Sequence, residues 1–259
     1  MPSAHAGFSI EHHASLGSSN DRAMACAREG FDRHWVVVDQ QTGGRGRQGR
    51  VWISPPGNLY ASLALIDPCA MASSPQLGFL TAFAVHDALN RLHPFGDRLK
   101  LKWPNDLLLD GAKLSGQLLE GSTQAGRFCV VIGIGVNLAH HPQDTIYPAT
   151  DLASKGLSVD VKTLLCALCE TFDHLLGLWN RGEGFAQIRA LWLAHAAYLD
   201  REIEMRNDGR VVKGLFKGID AEGRLLLQPQ ASRAGDIATI EAGDFYPLDV
   251  IAERSNKGL

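Results

Sequence analysis

Three clusters in this chain combine residue types that handle anions. In the first, Lys102-Trp103-Pro104-Asn105-Asp106 is followed by Lys113 and, a little further on, Gly116. Two ammonium groups and a carboxylate are what adenylyl transfer requires. An ammonium neutralises charge developing between a carboxylate and an α-phosphate, and an acid holds Mg2+ or orients the nucleotide. The same residues also suit a plain surface pair between Lys102 and Asp106 beside a turn. The second cluster is GGRGRQGR, with glycines at 43, 44, 46 and 49 and arginines at 45, 47 and 50. Guanidinium forks match phosphate or carboxylate oxygens in pairs, so this loop suits closure over an anion, and equally a solvated loop or an RNA contact. It is no Walker loop, because GxxxxGK[ST] is missing. The third is Gly133-Ile134-Gly135-Val136-Asn137, whose small residues let a flat ligand approach the backbone. A dinucleotide fingerprint needs a third glycine and a following helix, and neither is present.

Regular elements must hold these clusters. Ser18-Ser19-Asn20 can cap a helix running through DRAMACAREG, with Gly30 as its stop. The β-branched run Trp35 to Val38 is a strand leading into the arginine loop, and LYASLALI after the SPPGN turn is a buried strand. Ser74-Pro75 opens a helix with apolar residues from Leu77 to Leu92 at helical spacing. Pro104 biases Trp103 toward extended backbone. Asp110-Gly111 divides two apolar runs as a tight hairpin turn does, so Asp106 and Lys113 lie on paired antiparallel strands. FCVVIGIGVNL is a further buried strand. Val161 to Trp179 carries the strongest helical periodicity, and a second helix spans Phe185 to Ala197. From Asp200 the texture turns to short strands with turns at Asn207-Asp208-Gly209 and Ala221-Glu222-Gly223, which predicts a small barrel. The expected domains are 1–199 and 200–259.

Bulk properties narrow the class. The chain has 259 residues and a formal charge of −3, too near balance for a domain that coats nucleic acid. The balance is uneven, because no acidic residue stands between Asp39 and Asp67, where all three loop arginines lie. No apolar run approaches a membrane span and no signal-like start is present, so a cytoplasmic location is expected. Five cysteines without framework spacing suit free thiols, and the Cys166/Cys169 pair sits in a helical apolar pattern that suits core packing. The His12-His13 and His140-His141 doublets lack a third ligand at metal-site spacing and suit surface or loop positions.

In this order and spacing, GRGRQGR, KWPNDLLL with Lys113-Leu114-Ser115-Gly116, and GIGVN, ahead of a small β-rich segment, resemble the biotin protein ligases over essentially the whole chain. The resemblance implies an α+β fold: a class II synthetase-like catalytic domain, its mostly antiparallel mixed sheet flanked by helices, plus a C-terminal SH3-like barrel. It implies ATP and Mg2+, with biotin as substrate, activation to biotinyl-5′-AMP, and transfer to a lysine of the biotin carboxyl carrier protein. Lacking room for an N-terminal DNA-binding domain, the chain resembles the monofunctional members, with neither DNA nor membrane as partner; monomer and homodimer both stay open. Carried over residue by residue, Ser18, Ser19 and Asn20 match the STN-like segment, with Ser19 where threonine is common. Gln41, Gly44, Arg45 and Arg47 match residues beside biotin or its adenylate. Lys113 matches the lysine at the carboxylate and α-phosphate, and Gly116, Gly133 and Gly135 the close-packed floor. Arg50, Trp52, Trp103, Asn105 and Asn137 fall on the nucleotide side, and Asp106 at the metal. Lys113, Arg47 and Asp106 are the expected catalytic set. A lipoate or octanoate ligase of the same superfamily is the nearest alternative, and an RNA-binding protein using the arginine loop is one of another class.

Overall fold

The computed structural model describes residues 3–124, 126–143, 145, 147–207, 210–230 and 236–248. Ala6 and Gly7, both at positive φ, turn β1 (Ser3–His5) back onto β2 (Phe8–Leu16). α1 (Ser19–Arg28), β3 (His34–Gln41) and β4 (Leu59–Ile66) follow, then α2 (Gln76–Leu92). β5 (Leu99–Lys102), β6 (Asp106–Leu109), β7 (Ala112–Gln124) and β8 (Arg127–Val136) complete a sheet of order β1-β2-β3-β4-β8-β7-β6-β5. Among its described strand pairs, only β2 and β3 run parallel. The mostly antiparallel mixed sheet expected from the family is thus what the chain forms.

Side-chain alternation gives this sheet two buried faces. Trp35, Val37, Leu63, Leu65, Val130 and Ile132 point into the main core with α2, α3 (Val161–Trp179) and α4 (Phe185–Ala194). Val36, Ala64, Ile66 and Val131 point the other way, against Ala23, Cys26 and Ala27 of α1. Each large apolar side chain removed from water contributes about 1.5–3 kcal/mol, and Trp35, Trp103, Trp179 and Trp192 are all fully buried. The five cysteines are free, and Cys169 is buried in the main core as its helical spacing implies.

The Asp110-Gly111 turn forms as expected, both residues at positive φ (51° and 78°). The Trp103-Pro104 peptide is cis in the β5–β6 turn. Two local expectations fail. Ser18 is the N-cap of α1 but makes no side-chain capping bond; the free N–H of Ser19 in the first turn is instead taken by Gln41. α4 ends at Ala194, earlier than its apolar pattern, since Leu101 N–H donates to the His195 carbonyl and Ala196 bridges to Leu101.

The C-terminal strands β9 (Glu202–Asn207), β10 (Arg210–Ile219), β11 (Leu225–Pro229), β12 (Ala238–Ile240) and β13 (Asp244–Pro247) form one antiparallel sheet of order β12-β11-β10-β9-β13. Asp208 and Gly209 of the expected Asn207 turn, and residues 249–259 of the expected C-terminal domain, lie outside the described residues. The small sheet is tied to the large one by Trp103, whose indole N–H donates to the Gly223 carbonyl at 3.0 Å.

Candidate active site

Strand register explains why the chemical clusters are spaced as they are. Lys102 pairs with Asp106, Asp106 with Gly116, Gly116 with Gly135, and Gly135 with Tyr60. Directly paired residues project from the same face of a sheet. One row across five strands therefore begins with an ammonium and a carboxylate and continues as two glycines. In the parallel row Ser62 pairs with Gly133. A cavity of about 390 Å³ opens over this glycine floor, between the N-terminus of α1 and the arginine loop.

The missing side chains are a packing requirement. A Cβ on Gly135 would sit 2.6 Å from the Trp52 indole, and one on Gly133 would overlap the Asn20 amide oxygen. The α1 N-terminus is fastened around that second glycine. Ser19 donates its backbone N–H and its hydroxyl to Gln41 Oε1 at 2.9 and 3.0 Å. Ser62 Oγ is 2.7 Å from Ser19 Oγ and donates to Asn20 Oδ1 at 2.6 Å, while Asn20 Nδ2 donates to Glu120 at 2.7 Å.

At the charged end, Lys113 Nζ is 2.5 Å from Asp106 Oδ1 and Lys102 Nζ is 3.8 Å from Oδ2. The Lys102 side chain is only 4 % exposed. Burial pushes its amine below the ordinary lysine range, against the pull of Asp106. Burial alone would raise Asp106, but Lys113, Lys102 and Arg47 outweigh it and hold the carboxyl below its ordinary value. The surface-pair reading of Lys102 and Asp106 is therefore overturned; both belong to an enclosed charge cluster. Arg47 roofs it, donating to Asn105 Oδ1 at 3.2 Å and lying 3.7 Å from Asp244. Arg50 donates to the same Asp244, and Arg45 is held by Asp21 at 2.6 and 2.9 Å.

The structure brings Ser18, Ser19, Asn20, Gln41, Arg45, Arg47, Arg50, Trp52, Asn105, Asp106, Lys113, Gly116, Gly133, Gly135 and Asn137 to the wall of one cavity. Two expected residues stand apart. Trp103 is in the core beneath the site, 1 % exposed, because its indole is spent on the small sheet. Gly44 lies behind the loop, where a Cβ would strike Ser54 Oγ at 2.7 Å, so it shapes the loop without facing the cavity. Other residues of the wall lie outside the sequence motifs. Asp244 and Tyr246 reach the wall from β13, more than a hundred residues from the motifs, and Tyr147 from the loop after β8. The only trace of the first two in the sequence is the alternation of DFYP, which buries Phe245 and Pro247 and turns Asp244 and Tyr246 to the other side. Lys102 was visible in the KWPND run, but nothing in the sequence showed that it is buried. Among the described residues, five cationic side chains face two carboxylates on the lining, so this lining favours an anion although the chain as a whole is slightly acidic.

Residues 30–137 match the Biotin/lipoate A/B protein ligase family, and residues 198–246 match the Biotin protein ligase C terminal domain. The biotin--[acetyl-CoA-carboxylase] ligase of Paracoccus denitrificans is 37% identical over 227 residues, covering 85% of this chain and 94% of that protein. The bifunctional ligase/repressor BirA of Bacillus subtilis is 32% identical over 235 residues, 86% of this chain and 70% of that protein. Among solved structures, the biotin protein ligase from Aquifex aeolicus in complex with biotin and ATP superposes with a TM-score of 0.76 at 25% identity, covering 92% of this chain and 97% of that one. These matches favour neither a lipoate ligase nor an RNA-binding protein. A glycine floor beside a Lys–Asp–Lys cluster, in a chain that matches such relatives nearly end to end, has one family behind it: the chain belongs to the biotin protein ligases.

Proposed function

We propose that this protein activates biotin with ATP to biotinyl-5′-AMP and transfers the biotinyl group to a lysine of the biotin carboxyl carrier domain of acetyl-CoA carboxylase or a related carboxylase. The observation that carries this reading is the row Lys102-Asp106-Gly116-Gly135, which sets a charge cluster beside a flat floor. On this reading the ring system lies on Gly133, Gly135 and Gly116 next to Ser19, Asn20 and Gln41, and the carboxylate points at Lys113. Two anions must meet when that carboxylate attacks the α-phosphorus and pyrophosphate leaves. Lys113 and Arg47 screen their repulsion, from an enclosed site where charge is worth more than in water. No protein nucleophile is needed, because the incoming amine of the carrier lysine displaces AMP. The arginine loop, closed over the anhydride, keeps water out until the carrier arrives. Arg50, Trp52, Asn105 and Asn137 border the nucleotide, Arg45 closes the α1 side, and Ser18 completes the helix end.

The residues also fit Mg2+. Asp106 offers an ionised carboxylate and Asn105 an amide oxygen, the hard donors this ion takes alongside substrate phosphates. When bound, it supplies charge neutralisation at the phosphates. We further assign residues 1–199 to catalysis and 200–259 to a domain that walls the site through Asp244 and Tyr246. No helix among the described residues is long and apolar enough to cross a membrane, and we place the protein in the cytoplasm with the carboxylase it serves.

The test is incubation of the pure protein with ATP and either biotin, lipoate or octanoate, following pyrophosphate and label on a carrier domain. Biotin-dependent pyrophosphate release with label on the carrier lysine is expected. Preference for lipoate would overturn the assignment.

A further inference from the structure

Glu11, Cys26 and His34 come from β2, α1 and β3, and none of them lines the cavity described above. Ser9 and Glu11 alternate on β2, and His34 opens β3 opposite Ser9. Cys26 follows Arg22 by one helical turn, so both face the same layer between helix and sheet. One donor atom of each of the three residues lies within 4.8 Å of the other two. The Cys26 sulfur is 3.6 Å from Glu11 Oε1, and His34 Nε2 is 3.6 Å from Glu11 Oε2. Zinc–ligand lengths of about 2.0–2.3 Å at a tetrahedral angle put neighbouring donors roughly 3.3–3.5 Å apart. With all three donors within 4.8 Å of one another, the group has to draw in by up to about 1.5 Å to meet a cation.

The histidine is the independent sign. Its side chain is 4 % exposed and its Nε2 has no hydrogen-bond partner. Its Nδ1 lies 2.6 Å from Ser9 Oγ. With Nδ1–H donating to that oxygen, Nε2 carries a bare lone pair aimed at Glu11 and Cys26, as when an outer partner fixes the tautomer of a metal-bound imidazole. The carboxylate is ionised: burial works against its charge, but hydrogen bonds from Arg22 and His13 hold it at about 2. Arg22 donates Nε to Oε1 at 2.8 Å and Nη2 to Oε2 at 3.1 Å. A carboxylate has about four lone-pair sites, so Arg22 can remain on Oε1 while Oε2 turns to a cation. Its charge is shared with Glu29, at 3.2 Å. The thiol behaves differently. Burial, with Glu11 alongside, pushes it up to about 11, so its thiolate forms only as a cation takes the proton's place.

We propose that Glu11, Cys26 and His34 form a binding site for a thiophilic divalent cation of the Zn2+ class, with half-exposed His13 on its open side. On binding, the Cys26 S–H bond breaks, a sulfur–metal bond forms, and the proton leaves to solvent. The cation clamps α1 to β2 and β3, and so steadies the helix whose other end carries Ser18, Ser19 and Asn20.

The probe is the metal alone on the whole chain. EDTA-treated protein is titrated with Co2+, whose bond to thiolate gives a charge-transfer band, and then with competing Zn2+; proton release and melting temperature are recorded alongside. A saturable 1:1 band, one proton released per cation, displacement by Zn2+ and a higher melting temperature with Zn2+ are expected. Cys26→Ala should lose the band, and Ser9→Ala should weaken binding by roughly tenfold. Cys129→Ala, which removes another buried thiol of the same apolar layer, should bind as the unaltered chain does. The absence of a 1:1 band in the unaltered chain overturns the proposal whether or not any variant folds. A band that survives Cys26→Ala overturns it equally.

Discussion

Asp106→Asn keeps the shape of the side chain and removes its charge, which isolates what that charge does for the two lysines. Lys113 is 28 % exposed and can turn toward water. Lys102 cannot: it is ringed by Phe245, Tyr147 and Tyr246 at 4.8, 5.1 and 5.8 Å from the ring centres. Removing one partner of a buried ion pair costs about 3–5 kcal/mol. These ring faces surround the ammonium in the unaltered chain as well, so they do not offset the loss of roughly 3–5 kcal/mol at neutral pH. In a chain of this size each kcal/mol moves the melting temperature by about 2–4 °C, so a drop of roughly 6–20 °C is expected. The pH dependence is the sharper signature. Burial already lowers Lys102 from its ordinary 10.5, and loss of Asp106 lowers it further. The folded variant then gives up this proton at a lower pH than the unfolded chain does, so over that range its stability rises with pH until the unfolded amine also titrates. Urea denaturation from neutral pH upward, with unaltered chain and variant side by side, should show the stability gap narrowing as the pH rises. Biotin-dependent pyrophosphate release should be lost at every pH. Equal stability at neutral pH, or a gap of constant size, would refute the claim that Asp106 holds a buried charged lysine.

Three further perturbations test separate parts of the structure. Arg47→Gly removes the guanidinium that spans Asn105 and Asp244; biotinyl-adenylate should then escape and be recoverable in a filtrate, and wild-type retention would remove Arg47 from the closing role. Gly133→Ala drives a methyl into Asn20, which Ser62 and Glu120 hold in place. Overpacking of about 1–3 kcal/mol and a loss of biotin affinity by calorimetry are expected, and undiminished affinity would move the ligand off this floor. Asp110→Asn keeps a residue suited to the hairpin turn but loses the Arg98 pair at 2.9 Å and Lys155 at 3.3 Å. Arg98, against some burial and with Lys155, holds this carboxyl at about 2 rather than 3.8. Its stabilisation, about 1 kcal/mol or less at so exposed a site, is complete above pH 3.8 and is lost as the pH falls toward 2. Thermal melts of the two chains should therefore differ near neutrality and converge in acid, whereas a gap that persists at the lowest pH would point to a packing effect.

What could be read from the sequence was whatever depends on near neighbours. The Asp110-Gly111 turn fixes the pairing of β6 with β7, and with it the approach of Lys113 to Asp106; spacing alone shows this. The periodicity of Leu164, Leu165, Leu168, Phe172, Leu175 and Trp179 likewise gives α3, whose buried face matches it. β2 was passed over although FSIEHHASL carries the alternation of a half-buried strand, which His12 alone interrupts. The motifs showed which residues belong together but not how. Gly116 and Gly135 are brought side by side by strand register, a long-range property. Trp103, two places before Asn105 in the chain, is turned away from the site by its bond to Gly223. Asp244 and Tyr246 are further still from any local pattern, since the packing of the small sheet against the large one alone delivers them.

That packing changes how the site's charges should be counted. Arg45 is paired with Asp21, Arg47 and Arg50 share Asp244, and Lys113 holds Asp106. An anionic ligand therefore does not add its charge to free cations; it competes with carboxylates already in place. Each exchange returns only the difference between two ion pairs, so the affinity from these contacts is far smaller than five cations in isolation would give. The exchange is also selective, because a ligand must present anions at several of these points together to release the loop from Asp244 and Asp21. A molecule with one carboxylate meets Lys113 and leaves the arginines where they are. On the proposed reading, one that adds a phosphate chain draws Arg47 and Arg50 from Asp244, and the loop then responds to the nucleotide and to the adenylate rather than to biotin alone. The acid-free stretch between Asp39 and Asp67 makes this possible. A carboxylate within the loop would hold its own arginines in every state, whereas Asp21 and Asp244, on separate elements, can be left behind when the loop moves.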